Sequence, residues 1–329
     1  MARVPAVARV SMAEVAARAG VSAQTVSRVV NDSPRVEPAT RARVEAAMAA
    51  LGYRPHRAAR ALRTGRTQTL GLVASTLASV GNSRMLQAVA DAAAQRSYAV
   101  VVVTLAGGDI SDAFERLRDQ GVDGAILLNE ATELARGAGA PEGIDLVVVD
   151  SPPDDRFTVV ETDHRGGARA AVAHLLDLGH DTVHHVAGPE GSFAAAERAA
   201  GWRDALAGRA VPEPVPGDWT AASGFRAAGE FGPEVTAVFA ANDQMALGLL
   251  RGFAEAGRDV PAAVSVVGFD DVADAADYRP PLTTVRQDFD ALGERAVATL
   301  VGRIEGVAER GVDVVPATLV VRASAAAPA

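Results

Sequence analysis

The chain has 329 residues, enough for about two domains of ordinary size. It contains no Cys, and all 32 basic residues are Arg; this excludes disulfides, thiolate metal sites, thiol nucleophiles, Schiff-base lysines and the lysine-dependent phosphate loop. At 49% hydrophobic and 22% charged it has material for a core, yet no run approaches the roughly 18 apolar residues of a membrane span.

No apolar segment of signal-peptide type follows Arg3 and Arg9, so a cytoplasmic location without membrane contact is expected. The net charge of −9 is unevenly spread. Residues 1–66 hold twelve Arg against four acids, a net of +8, which leaves −17 to the rest. A small basic head on a large acidic body points to a head that meets a polyanion.

In chain order, Ser11 and Glu14 form a capping box that opens a helix over about 12–18, with Val15, Ala16 and Ala19 inward. Gly20 supplies a turn, and Ser22 caps a second helix over about 23–30. That helix buries Val26, Val29 and Val30 and exposes Gln24, Thr25, Ser27 and Arg28. Pro38 opens a third helix, which carries Val44, Met48 and Leu51 at helical spacing and stops at Gly52. Two short helices joined by a glycine turn and braced by a third read as a helix-turn-helix. The polar face suits a major groove, since Gln pairs with adenine and Arg with guanine. The competing reading is a plain three-helix bundle with a solvated face, and the +8 charge weighs against it.

The next segment, from Tyr53 to Arg66, is rich in arginine and broken by Pro55 and Gly65. It reads as a short helix ordered by DNA or as a flexible linker.

From Thr69 onward, strand-like runs over 70–73, 99–105, 124–128, 146–150, 182–187, 237–240 and 264–268 alternate with helical patterns. These helices lie near 83–96, 109–119, 166–178, 193–208, 242–256 and 288–305. Such alternation implies parallel sheets under helices, as two Rossmann-like lobes or one barrel. Ligands of these folds bind beyond the strand ends. Ser75, Asp150, Asn242, Asp243, Asp270 and Asp271 stand there; carboxylates, amides and an Arg converging near Trp and Phe would suit a sugar.

Other chemistries lack support. His174, His180, His184 and His185 match no zinc spacing, no GxGxxG follows a strand and no Gly-x-Ser-x-Gly elbow is present. Neither metal nor cofactor is expected. Asp150 and Asp270 are imaginable as an acid–base pair, but both are accounted for as hydroxyl acceptors, so no catalytic residue is assigned.

Seven strings resemble the LacI/GalR family. They are Gln24-Thr-Val-Ser-Arg-Val-Val-Asn31, Val44-Glu-Ala-Ala-Met-Ala49, Gly217-Asp-Trp219, Asn242-Asp-Gln-Met-Ala-Leu-Gly248, Ser265-Val-Val-Gly268, Pro280-Pro-Leu-Thr-Thr284 and Gln287-Asp-Phe289. The resemblance spans about 11–322. It implies a helix-turn-helix head over 1–54, a hinge over 55–67, and a sugar-binding and dimerisation domain over 68–322 made of two periplasmic-binding-protein-like lobes. Lobe one would take 68–161 and 290–320, lobe two 162–289 and 321–322, and 323–329 would be a disordered tail. It further implies a homodimeric repressor on a palindromic operator, released by a sugar effector.

Carried over by position, Ser22, Ala23, Gln24, Thr25, Ser27, Arg28 and Asn31 resemble DNA contacts of the head. Arg57, Ala59 and Leu62 resemble contacts of the hinge, with Leu62 as a minor-groove wedge. Ser75, Asp150, Arg198, Trp219, Asn242, Asp270 and Phe289 match positions lining the pocket of a galactoside-responsive member, and Trp219 and Phe289 lean towards a galactoside. There are departures. Ala23 replaces an aromatic base reader, Glu161 an apolar pocket-edge residue, and Ser79 and Val80 differ at the lobe interface. The tail lacks the leucine heptads that build tetramers. The alternatives are a repressor answering another sugar or a corepressor, a sugar-binding protein without DNA function, and, least of all, a sugar-acting enzyme.

Overall fold

The computed structural model describes residues 10–30, 33–53, 65–105, 107–138, 141, 143–307 and 310–328. Two compact units divide between Thr67 and Gln68.

The first unit holds α1 (Met12–Ala19), α2 (Ala23–Val30) and α3 (Pro38–Leu51). The capping box forms: Glu14 N donates to Ser11 Oγ, and Ser11 N donates to the Glu14 carboxylate at 2.6 Å. Gly20, at φ 66°, turns the chain where a side chain would be strained. Val15, Ala16, Ala19, Val26, Val29, Val44 and Ala47 form the core, with Val30, Met48 and Leu51 half-buried around it.

The second unit contains two six-stranded sheets. In the first, β1 (Thr69–Ala74), β2 (Ala99–Thr104), β3 (Gly124–Leu128), β4 (Asp145–Val149), β5 (Thr158–Thr162) and β11 (Val312–Val315) run parallel in the order β11-β5-β4-β3-β1-β2. In the second, β6 (His184–Ala187), β7 (Val215–Pro216), β8 (Ala237–Ala240), β9 (Ser265–Asp270), β10 (Thr283–Arg286) and β12 (Thr318–Val320) take the order β12-β10-β9-β8-β6-β7, with only β12 antiparallel. Central strands such as β3 are buried along their whole length, because helices cover both faces of a parallel sheet.

Around the first sheet lie α4 (Val80–Gln95), α5 (Ile110–Asp119), α6 (Glu130–Ala138) and α11 (Phe289–Ile304). Around the second lie α7 (His164–Asp177), α8 (Phe193–Ala205), α9 (Ala221–Ala228) and α10 (Asp243–Glu255). Leu292, Ala296, Val297 and Leu300 of α11 bury against Leu70, Val89 and Val147, which places this helix in the first lobe although β10 before it lies in the second. The chain therefore crosses between lobes after β5, after β10 and after β11.

Two expectations are corrected. Residues 318–320 belong to lobe two: Thr318, Leu319 and Val320 pair with Arg286, Val285 and Thr284, so the last crossing falls at 316–317. The tail is ordered through 328, because Ser324 is fully buried and bonded. Its Oγ donates to Val266 O at 2.6 Å and accepts from Thr283 N at 2.8 Å, while Ala326 N donates to Ser265 Oγ.

Candidate functional site

The strand ends of both sheets face a cleft that is open to solvent. Asn129 follows β3, Asp150 follows β4, Asn242 lies just beyond β8 and Asp270 ends β9; all four line it. Asn129, Asp150, Trp219 and Asp270 have φ of 48°, 52°, 69° and 119°. Such backbone costs on the order of 1–3 kcal/mol each and persists where surrounding structure holds it, commonly at binding sites.

Arg198, on α8, is the cation of the cleft and is almost wholly buried. Its Nη1 donates to Ala241 O and lies 3.2 Å from Asp270 Oδ1, and its Nε donates to His164 Nδ1 at 3.3 Å. That bond places the imidazole proton on Nε2, which sits 3.0 Å from Asp150 Oδ1. The guanidinium also lies over the Phe269 ring at 3.9 Å and near Trp219 at 5.4 Å. A buried cation needs such partners, and burial still lowers its pKa.

The two carboxylates differ. Burial works against ionisation of Asp150, but His164, the Thr162 amide and Arg198 outweigh it and hold its pKa below the ordinary value. At Asp270 burial prevails over Arg198 and Gln287, and the pKa is raised. Beneath it, Asp243 is fully buried. It accepts from Thr284 Oγ1 and from Val272 N, and burial together with the Asp270 charge raises its pKa strongly.

Asn242 caps α10 through Met245 N and donates to Trp219 O at 3.0 Å, which fixes the loop carrying the indole. Opposite stand Phe289, Met85 and Val80 of the first lobe. The cleft thus presents acceptors, amides, one cation and apolar ring faces, an arrangement that hydrogen-bonds hydroxyls and packs a saccharide ring.

Of the seven pocket residues expected from sequence, Asp150, Arg198, Trp219, Asn242, Asp270 and Phe289 come together. Ser75 is half-buried directly beyond β1 and lies outside the lining. Ser79 and Val80 line the cleft; Glu161 does not. Glu161 is half-buried on β5, with one carboxylate oxygen buried and without a hydrogen-bond partner among the described residues. Burial, then the charges of Asp150, Glu197 and Asp163, push its pKa up to about 7. Sequence reasoning missed Asn129, His164, Ser192 and Gln287. Asn129 stands at a strand end like those selected; the others lie on helix starts or between elements, where that rule does not look. Among the described residues no group of His, Asp and Glu is arranged to hold a metal ion. No helix there is long and apolar enough to cross a membrane.

In the head, Ser22, Ala23, Gln24 and Arg28 are exposed, while Thr25 and Ser27 are half-buried. Ser22 Oγ caps α2 by accepting from Thr25 N at 3.1 Å. Gln24 and Arg28, one turn apart, share the exposed face. Asn31, Arg57, Ala59 and Leu62 lie outside the described residues.

A helix-turn-helix unit joined in one chain to a two-lobed α/β unit with an interlobe cleft defines a ligand-responsive DNA-binding protein. The family model for bacterial regulatory proteins of the lacI family matches residues 11–56, and that of the periplasmic binding protein-like domain matches 172–325. The lactose operon repressor of Escherichia coli K12 is 38% identical over 331 residues, covering 97% of this chain and 91% of that protein. The crystal structure of the lac repressor dimer bound to operator and the anti-inducer ONPF superposes with a TM-score of 0.84 at 36% identity. It covers 97% of this chain and 100% of that one. A complex of the transcriptional regulator CelR with cellobiose gives 0.72 at 35% identity, covering 96% and 100%. The chain belongs to the LacI family of bacterial transcriptional regulators, as a DNA-binding repressor with a periplasmic-binding-protein-like effector domain.

Proposed function

We propose that the protein represses a carbohydrate-utilisation operon by binding a palindromic operator as a homodimer, and that a sugar inducer, a galactoside, releases it. The observation that carries this reading is Arg198, held by Asp270, His164 and the Ala241 carbonyl beside Trp219 at the floor of a cleft between two lobes. Such a cluster has donors and acceptors for vicinal hydroxyls, and Trp219 and Phe289 supply ring faces. Similarity to the lactose operon repressor favours a galactoside. The cellobiose complex of a relative, together with Glu161 beside the pocket, favours the second reading, a different glycoside.

In this mechanism two heads read half-sites about one helical turn apart through Ser22, Ala23, Gln24, Thr25, Ser27, Arg28 and Asn31. Arg57, Ala59 and Leu62 contact the operator from the hinge, with Leu62 wedged into its centre. Sugar in the cleft shifts the lobes and loosens the hinge segments. It acts only through its difference in affinity for the two states, and a full switch needs about 5.5 kcal/mol.

The experiment is fluorescence anisotropy of labelled duplexes from the chain's own promoter region, titrated at several salt concentrations and then with a sugar panel. A steep salt slope, preference for one palindrome and release by a galactoside are expected. Indifference to every palindrome overturns the repressor reading, and release only by another sugar selects the second.

A further inference from the structure

Asn82 stands on the first turn of α4, 2% exposed and outside the lining of the cleft. A buried amide needs partners, and this one has two. Its Nδ2 donates at 2.9 Å to Thr76 O, in the loop after β1, and its Oδ1 accepts from Asn129 Nδ2 at 2.5 Å. A backbone carbonyl only accepts, so the Asn82 amide cannot turn over without setting two oxygens against each other. Its own oxygen therefore faces Asn129, and Asn129 must offer Nδ2 in return.

The backbone of Asn129 is held independently. Its N–H donates to Val149 O at 3.2 Å, and its carbonyl accepts from Thr132 N and Thr132 Oγ1, at a φ of 48°. What is left to choose is which end of the side-chain amide faces the cleft, and Asn82 makes that choice. With Nδ2 spent, Asn129 presents Oδ1, which has no hydrogen-bond partner among the described residues, on a residue that lines the cleft. Asp150, beyond the neighbouring strand β4, keeps a low pKa and is an acceptor as well.

We propose that Asn82 is a positioning residue that fixes Asn129 as an acceptor towards the cleft, so that the effector must present a donating hydroxyl at that point. Asn82 acts through Asn129 and does not touch the ligand. This rests on the reading of the cleft as a sugar site and adds a polarity to one of its contacts. A hydroxyl satisfies the contact, whereas a fluorine or an ether oxygen, which has no proton to give, does not. Leucine in place of Asn82 would free the Asn129 amide to turn and present Nδ2 instead.

The test is calorimetric titration of the full chain with methyl galactoside and methyl glucoside and with their deoxy and deoxyfluoro analogues at each ring hydroxyl. Asn129→Ala locates the contact: it is the position whose deoxy analogue loses affinity in the wild type and loses none further in the variant. There the wild type should bind the deoxy and deoxyfluoro analogues equally weakly, about three- to tenfold below the parent sugar. Asn82→Leu should weaken the parent and bring the deoxyfluoro analogue above the deoxy one, a ratio that a merely structural role would not move. Three results overturn the proposal and leave the cleft reading standing: a wild type that prefers fluorine to hydrogen there, no position coupled to Asn129→Ala, or an Asn82→Leu variant that changes every ligand by one common factor. Should a melting curve show that Asn82→Leu does not fold, the wild-type and Asn129→Ala titrations decide. No binding of either parent sugar overturns the cleft reading and this proposal with it.

Discussion

His164 Nε2 lies 3.0 Å from Asp150 Oδ1, so the first residue of α7 in one lobe faces a carboxylate at the tip of β4 in the other. Through His164 Nδ1 the contact continues to Arg198 and then to Asp270. A buried polar chain thus runs across the floor of the cleft, and the Asp270 and Asp150 charges offset part of what burial costs Arg198.

Arg198→Ala breaks this chain at its cation. It removes a charge-assisted donor to the ligand, about 1.5–3 kcal/mol, or a 10- to 150-fold loss of sugar affinity. It also leaves Asp270 buried without its counter-ion, which destabilises the second unit by up to about 3–5 kcal/mol. The variant should hold operator at unchanged affinity and fail to release it at wild-type sugar concentrations. Parallel anisotropy and melting measurements check both. Normal release would remove Arg198 from the pocket.

The indole wall offers a gentler probe. A methyl group at Gly188, just beyond β6, would overlap the Trp219 ring. Gly188→Ala should displace the ring, weaken sugar binding by about 0.5–1.5 kcal/mol and change the fluorescence response to sugar while DNA binding stays intact. An unaltered titration would show that Trp219 makes no contact with the ligand.

Much of this was legible in the sequence, and what was not has physical reasons. Strands β1, β3, β4, β8 and β9 are largely apolar runs because central parallel strands bury both faces, and the polar residues beyond several of them line the cleft. Thr158–Thr162 is a missed strand because Thr and Glu interrupt its apolar run, and Val215–Pro216 has only two residues. Val312–Val315 and Thr318–Val320 are short strands at sheet edges whose partners lie more than thirty residues away. Ala221–Ala228 is a helix of eight residues with a central glycine, a weak periodic signal. The role of His164 was hidden, because a histidine's partners come from the fold rather than from its neighbours in sequence.

Glu161 makes stability depend on pH. Its folded-state pKa, about 7, exceeds the ordinary 4.5 because of burial and the charges of Asp150, Glu197 and Asp163. The folded protein therefore holds this proton more tightly than the unfolded chain. The resulting stability is fully present below about pH 4.5 and is lost as pH rises through 7. Glu161→Gln should raise the melting temperature at pH 8 and leave it nearly unchanged at pH 4.5. An equal shift at both pH values would show that the charge is not the cause.

Ser324 anchors the C-terminal segment to the second sheet. Ser324→Ala leaves the Thr283 amide without its acceptor and should cost about 1–3 kcal/mol. Denaturant unfolding of the full chain reads this as a lower midpoint at unchanged slope. Removal of residues 323–329 should cost at least as much. A neutral truncation would contradict the ordered tail.

The head makes a separable prediction. Gln24 and Arg28 are exposed one turn apart on α2 and take no part in its core, which Val26 and Val29 form from the opposite face. Replacing either by Ala should leave the melting curve in place. If each reads a base edge, its loss should cost about 1–3 kcal/mol on the preferred duplex, with little change on random duplex. Sugar affinity should not move, since the cleft lies wholly in the second unit. A uniform loss on every duplex, with a shallower salt slope, would mean that these side chains touch phosphates and that sequence is read elsewhere.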